Sequence, residues 1–388
     1  MWETFWLLLP VAAASGYWVG RGQARKRTVK ARPGLHQDYF RGLNYVLNDK
    51  PDKAIEVFIK MVEVDSDTVE THAALGNLFR RRGEVDRAIR IHQNLIARPA
   101  LSREQRGDAL RELGEDYMRA GLFDRAERLF LELLDLKLHT VAALRSLVAI
   151  YEQERDWGRA VEFARRLAAE GGGAVSLQVA HYHCERAESA RRENDLAAMG
   201  EALKQAFAAD SGCVRASILQ GDMESALGNH EAAIQAYQRV AEQDQDYLTE
   251  VMEKLRDEYT RRGDVDGFRA YLKDLMNRCS GVAPMLALAD LTQREEGDQA
   301  AIEFVTCCLR NKSSVAGLRR LIELKLPNVD GRARDDLSIL HEMMTRLISD
   351  RPVYRCNNCG FAGKQMHWHC PSCKSWSTIK PIQGVVAS

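Results

Sequence analysis

The chain has 388 residues, with 55 basic and 55 acidic side chains and so no formal net charge. That balance excludes nucleic-acid or acidic-substrate binding driven by the overall field, and the length predicts two or three domains or one extended array rather than one simple core. Nine cysteines, odd in number and five of them scattered, exclude a secreted disulfide framework and place the bulk of the chain in a reducing compartment.

In chain order, the first element is the run Thr4 to Gly20 (TFWLLLPVAAASGYWVG), 17 residues without a charge. As a helix it would span ~26 Å, slightly short of the ~30 Å hydrocarbon slab. Trp2, Trp6, Tyr17 and Trp18 suit the two interfaces, and Arg21 can snorkel. Ala12-Ala13-Ala14 resembles a signal-peptide cleavage site, but signal peptides carry positive charge before the apolar run, and here Glu3 precedes it. The positives follow: Arg21, Arg25, Lys26, Arg27, Lys30 and Arg32, with no acid among them. The positive-inside bias predicts a transmembrane anchor over residues 1–20 and a basic juxtamembrane linker over 21–34, with everything beyond in the cytoplasm. Pro10 can kink the anchor without forbidding insertion.

Residues 35–280 repeat one pattern. Gly42 and Tyr45 precede Ala54 and Phe58; Gly76 and Phe79 precede Ala88; Gly114 and Tyr117 precede Ala126 and Phe130; Tyr151 precedes Ala160. Ala54 and Ala88 are 34 residues apart, as are Ala126 and Ala160, and Ala198, Ala233 and Phe268 continue the series. The period resembles the tetratricopeptide repeat, a pair of antiparallel helices in which small residues mark the closest backbone approach and Leu75, Phe79, Ile89 and Leu95 fill the space between units. The turns RGEVDRA (82–88), AGLFDRA (120–126), LGNHEAA (227–233) and RGDVDGF (262–268) predict a glycine stop and an acidic cap for the next helix. Seven successive units share this chemistry. Residues 281–350 predict a degenerate eighth unit around Ala301 and a closing helix pair that seals the array. The expected fold is therefore all-α, a tetratricopeptide superhelix.

Within this array Tyr, Phe and Met at helical spacing are expected to pack as core. Arg81-Arg82 and Arg261-Arg262 are expected to complement helix C-termini. His181-Tyr182-His183-Cys184 points in several directions around a helix, which predicts ordinary packing plus surface rather than a metal cluster. Cys213, Cys279, Cys307 and Cys308 are expected to be small buried apolar residues. Gly171-Gly172-Gly173 follows a helix, so it reads as a connector and not a phosphate cradle. No nucleophile elbow, P-loop, dinucleotide fingerprint or HExxH stretch is present, so catalytic residues are not expected. A stacked helical array binds peptide or protein segments in its groove, and generic array geometry places Asn77, Arg80, Glu115 and Met118 near that concave face.

The last element, residues 351–388, holds RCNNCGFAGKQMHWHCPSCKSW (355–376): Cys356-x2-Cys359, ten residues, Cys370-x2-Cys373. Two such knuckles complete a tetrahedron of thiolates, with Gly360 letting the first turn bend so that amides face the sulfurs and Pro371 stiffening the second. Four sulfurs leave no open coordination position, which suits a structural or electron-holding ion, either zinc or iron. His367 and His369 lie nearby, as packing groups or as hydrogen-bonded support for the ligands. The knuckles resemble those of rubredoxin, which binds iron, but Lys374 stands where rubredoxins usually carry a second glycine, and the spacer is much shorter. So few residues cannot bury a core alone, so the metal is expected to supply the folding energy of this lobe, with Trp368 and Trp376 docking it onto the helices.

Together, LLLPVAAASGYWVGR (7–21), LGNLFRRRGEVDRAIRIHQ (75–93), AGLFDRAE (120–127) and WHCPSCKSWSTIKPI (368–382) resemble the lipopolysaccharide assembly protein B family of Gram-negative bacteria. The resemblance runs through essentially the whole chain in order. It implies a single-pass inner-membrane protein facing the cytoplasm that regulates lipopolysaccharide synthesis. Family members act as adaptors for a membrane-bound zinc protease of the FtsH type and promote degradation of the deacetylase committed to lipid A. The family's metal ligands fall on Cys356, Cys359, Cys370 and Cys373. Other lipopolysaccharide-synthesis proteins are further implied partners. Two alternatives stand beside this reading: a membrane-anchored, rubredoxin-like electron carrier, and a scaffold that gathers synthesis enzymes without changing their turnover.

Overall fold

The computed structural model describes residues 33–48, 50–64, 69–279, 281–311, 313–349 and 351–382. The anchor expected over residues 1–20, and the basic linker apart from its last two residues, lie outside them. Among the described residues, no helix is long and apolar enough to cross a membrane.

Helices follow one another in pairs: α1 (Pro33–Leu47) and α2 (Pro51–Val64), α3 (Val69–Arg81) and α4 (Val85–Ile96), α5 (Arg103–Ala120) and α6 (Phe123–Asp135), α7 (Thr140–Glu154) and α8 (Trp157–Ala169), α9 (Ser176–Arg192) and α10 (Leu196–Ala209), α11 (Val214–Ala226) and α12 (His230–Gln243), α13 (Leu248–Arg262) and α14 (Val265–Arg278), α15 (Ala283–Glu296) and α16 (Asp298–Asn311). Two further helices, α17 (Val315–Lys325) and α18 (Arg332–Ser349), complete the array. The chain divides into two compact units after Ile150, inside α7.

The turn within each pair explains the period. Gly83, Gly121, Gly228 and Gly263 all have φ between 73° and 82°, the left-handed stop that a residue without Cβ reaches at no steric cost. Arg155 and Asn194 take the same conformation (φ 58° and 57°) in turns that lack glycine. Five residues beyond each stop the chain is buried, at Ala88, Ala126, Ala160, Met199, Ala233 and Phe268. This corrects one expected position: Ala198 is exposed, and Met199 fills its place. The stop there is Asn194, one residue later than a count of alanines suggests.

The expected acidic caps form at only one of the four glycine turns, where Asp264 accepts the N–H of Gly267 at 2.9 Å. Glu84 instead pairs with Arg82 and Arg87, and Leu122 and Asn229 occupy the other two cap positions without a side-chain bond. Glutamate's longer side chain folds back onto its own helix start less readily than aspartate's. Asp156 and Asp195 do cap, following the two non-glycine stops.

Close approach within pairs is also visible. A Cβ added to Gly114 would lie 2.7 Å from the Phe130 ring, and Gly42 against Phe58 and Gly76 against His92 repeat the relation. In the first unit the core runs through Ala54, Phe58, Ala88, Leu110, Phe130, Leu133 and Leu147, all at most 1% exposed. Cys213 and Cys279 are buried as expected, but Cys307 is exposed and Cys308 half-buried. On α16 the inward stripe is Ala301, Val305 and Cys308, and Cys307 is turned about 100° away from it.

In the second unit, three short strands follow the helices: β1 (Tyr354–Cys356), β2 (Ala362–Gly363) and β3 (Ile379–Pro381). They form an antiparallel sheet in the order β2-β1-β3, with Tyr354 opposite both Gly363 and Pro381.

Candidate metal centre and partner groove

The two CxxC knuckles are built alike. The N–H of Gly360 bonds to the carbonyl of Cys356 at 3.0 Å, and that of Lys374 to the carbonyl of Cys370 at 3.0 Å. Gly360 (φ 77°) and Lys374 (φ 58°) both take the left-handed conformation. Lys374 therefore makes the turn that glycine makes in the first knuckle, so the departure from the rubredoxin pattern changes the residue and keeps the bend.

The four sulfurs of Cys356, Cys359, Cys370 and Cys373 lie within 4.8 Å of one another. Cys356 and Cys373 are 3.8 Å apart, and Cys359 and Cys370 are 3.7 Å apart. A tetrahedral ion with metal–sulfur bonds of ~2.3 Å requires sulfur–sulfur edges of ~3.8 Å, so the donor set fits. Burial raises the Cys356 thiol, but the Thr378 hydroxyl and the amides of Cys359 and Asn358 outweigh it and hold it below its usual range. Hydrogen bonds from the Ser375 and Asn358 side chains and the Ser375 amide lower Cys373 to about 5. Burial pushes Cys370 up to about 11 despite the amides of Cys373 and Ser372. At Cys356 and Cys373 these donors favour the thiolate, the form that binds metal.

Neither histidine joins the cluster. His369 places Nε2 2.9 Å from the Lys374 carbonyl and stacks on Trp376 at 4.4 Å between ring centres, which braces the second knuckle. His367 lies edge-on to Phe361.

The lobe docks on the helices of its own unit. Trp376 stacks on His181 at 5.0 Å and meets Tyr182 edge-on at 5.8 Å; Trp368 lies 5.0 Å from Tyr247 and 5.8 Å from His181. The Tyr247 hydroxyl donates to the Ile379 carbonyl at 2.9 Å, Tyr354 to Glu250 at 2.8 Å, and Lys380 pairs with Asp244. The surface expected at His181-Tyr182-His183-Cys184 is absent: all four side chains are buried. α9 is covered on one side by α10 and at His181 and Tyr182 by the lobe. The array-side docking residues Glu152, Asp244, Tyr247 and Glu250 carry no sequence signal, because their partners lie 104 to 224 residues away in the chain.

The first unit holds an open groove of about 1140 Å³ on α3, α5 and α7. Asn77, Arg80, Glu115 and Met118 all line it, together with Arg111, Arg119 and Arg145. Arg111, Glu115 and Met118 stand one and two turns apart on α5, a spacing that could have identified Arg111. Arg80 reaches across from α3 to Glu112 (2.6 Å), Asp116 (2.8 Å) and Glu115 (3.1 Å). Burial opposes its charge, but the Glu112 and Asp116 carboxylates outweigh it and hold the guanidinium above its ordinary pKa. Asp116 also meets His92 Nδ1 at 2.5 Å, both fully buried. The groove wall is thus fixed by a buried polar network, while the Asn77 side-chain oxygen has no hydrogen-bond partner.

Comparison with known proteins agrees with this anatomy. The tetratricopeptide repeat family matches residues 71–106, 111–175 and 184–247, a PPR repeat matches 44–65, and the rubredoxin metal binding domain matches 354–381. Lipopolysaccharide assembly protein B of Escherichia coli (strain K12) is 39% identical over 386 residues, covering 99% of each chain. The protein of that name from Haemophilus influenzae is 34% identical and covers 98% of each.

Proposed function

This chain belongs to the lipopolysaccharide assembly protein B family, and from that premise we propose that it is a membrane-tethered cytoplasmic adaptor that controls lipopolysaccharide synthesis through proteolysis. The family name supports a role in lipopolysaccharide assembly. The finer reading is that the protein presents the lipid A deacetylase to an FtsH-type protease in the inner membrane and contacts other synthesis enzymes. The observation that carries it is the open groove of the first unit, lined by polar Asn77, charged Arg80 and Glu115 and apolar Met118. Such a mixed lining suits an extended protein segment, which brings backbone polar groups and apolar side chains together. Cys356, Cys359, Cys370 and Cys373 would hold one zinc or iron ion that folds the lobe.

Tethering gives the layout its physical sense. An adaptor, a substrate and a protease held at one membrane meet at effective concentrations that can reach the millimolar range. Depletion of the protein should lengthen the half-life of the deacetylase. An unchanged half-life rejects the proteolytic role, and a pull-down that captures synthesis enzymes with the protease absent would then leave a plain scaffold.

The tetrathiolate geometry also accommodates iron, which keeps an electron-carrier reading in play. A visible absorption that bleaches reversibly on reduction supports that reading; a colourless zinc-loaded protein excludes it.

A further inference from the structure

Repeat arrays end on helices with polar outer faces, since nothing stacks beyond them. α18 breaks that rule. Its inner side carries the half-buried Leu337, His341 and Met344. Its outer side carries Arg332, Asp336, Ile339, Leu340, Met343 and Arg346, all exposed, and the three apolar side chains are 49–56% open to solvent. At about 100° per residue these six fall in one arc along ~21 Å of helix. A single exposed leucine needs no explanation, but three large apolar groups together on a terminal helix do.

We propose that this face of α18 docks onto the same face of a second copy of this chain, as an antiparallel two-fold helix pair. If the pair is centred on residue 341, positions equally distant from it oppose each other. Ile339 then meets Met343 of the second copy and Asp336 meets Arg346 of the second copy, each contact occurring twice by symmetry. The centre is apolar and both ends bring opposite charges together. A parallel pair would set Asp336 on Asp336 and Arg346 on Arg346, so the charge order selects the antiparallel arrangement. A bilayer is a poorer occupant, because Arg332, Arg334 and Arg346 are balanced by Asp335, Asp336 and Glu342, so the helix offers anionic headgroups no net attraction. Within one protomer Arg346 already pairs with Glu342 at 2.5 Å, so the cross-pair shares that cation and fixes register more than strength. One helix face is a small interface, which makes the dimer concentration-dependent.

The test is sedimentation of the full chain in detergent over a wide concentration range. The expected result is a reversible monomer–dimer equilibrium. Asp336→Arg and Arg346→Asp should each weaken it by about tenfold, and the double variant should restore it. Met343→Asp should abolish the dimer without changing thermal unfolding, since the side chain is exposed. A chain that stays monomeric, a dimer indifferent to Met343→Asp, or a double charge exchange no better than the single ones would each overturn the proposal.

Discussion

The indole N–H of Trp376 donates to Glu152 Oε1 at 2.8 Å, and the Tyr182 hydroxyl donates to the same oxygen at 2.6 Å. One carboxylate on α7 thereby ties a residue of the metal lobe to one on α9. Trp376→Phe keeps one aromatic ring against His181 but deletes the donor and part of the buried indole, at a cost of about 2 kcal/mol for the hydrogen bond plus a smaller packing loss. Trp376→Ala also removes the packing and should cost about 3–5 kcal/mol. Hydrogen exchange of the Cys356–Cys373 amides should rise in that order. Equal protection in the two variants would mean that the lobe is held elsewhere.

Metal removal addresses the lobe separately. Its enclosed residues are few, chiefly Cys356, Cys370 and Ile379, so the ion supplies most of the order. Chelation or Cys356→Ser should red-shift the fluorescence of Trp368 and Trp376 as they lose their buried seats. Helical circular dichroism should fall little, because the helices carry their own cores around residues such as Leu203, Val251 and Leu272. A loss of helix comparable to the loss of tryptophan burial would show that the lobe and the array fold as one.

Acid should loosen the second unit through His181. Burial, followed by the nearby Arg215 and His369, depresses its pKa to about 3, against about 6.5 in an unfolded chain. Between those values the unfolded state holds a proton that the folded state does not. Stability is therefore complete above about pH 6.5 and declines as pH falls toward 3, by up to about 1.4 kcal/mol per pH unit from this one group. His183, lowered to about 4 chiefly by burial, acts in the same direction. His181→Asn should make the decline shallower without removing it, measured by urea unfolding at several pH values between 4 and 7. An unchanged slope would place the acid sensitivity in other groups.

Much of this architecture was legible because it is local. A glycine stop and a small residue five positions on lie within one turn, and the repeat of that spacing gives helix pairs directly. Where the stop is Asn194 the alanine count slips and Ala198 stands in for Met199. The cysteine spacing gives the metal cluster, since each knuckle closes within five residues. Docking of the lobe was half legible: Trp368 and Trp376 are conspicuous in so small a segment, but the histidine and tyrosines that receive them look like any other packed helix residues. The sequence predicts a seal for the array at residues 281–350 and leaves the outer face of α18 out of sight, because an apolar stripe that packs inward does not reveal that the opposite side also carries Ile339, Leu340 and Met343.

The close approach of α5 and α6 gives the last prediction. Gly114→Ala gains about 1 kcal/mol of helix propensity, but its Cβ would meet the Phe130 ring at 2.7 Å, in a core where overpacking costs about 1–3 kcal/mol. The net effect should be a loss of stability in the first unit. Gly121→Ala has open space around it, yet at φ 73° it incurs a backbone cost of about 1–2 kcal/mol. The two losses differ in origin, so a second substitution separates them. Phe130→Leu removes the ring edge that Gly114→Ala strikes, so the double variant should be more stable than the sum of the single losses, whereas the same change should add independently to Gly121→Ala. Additivity at both positions, read from denaturation midpoints, would show that α5 shifts to absorb the methyl group and that the contact does not set the spacing of the pair.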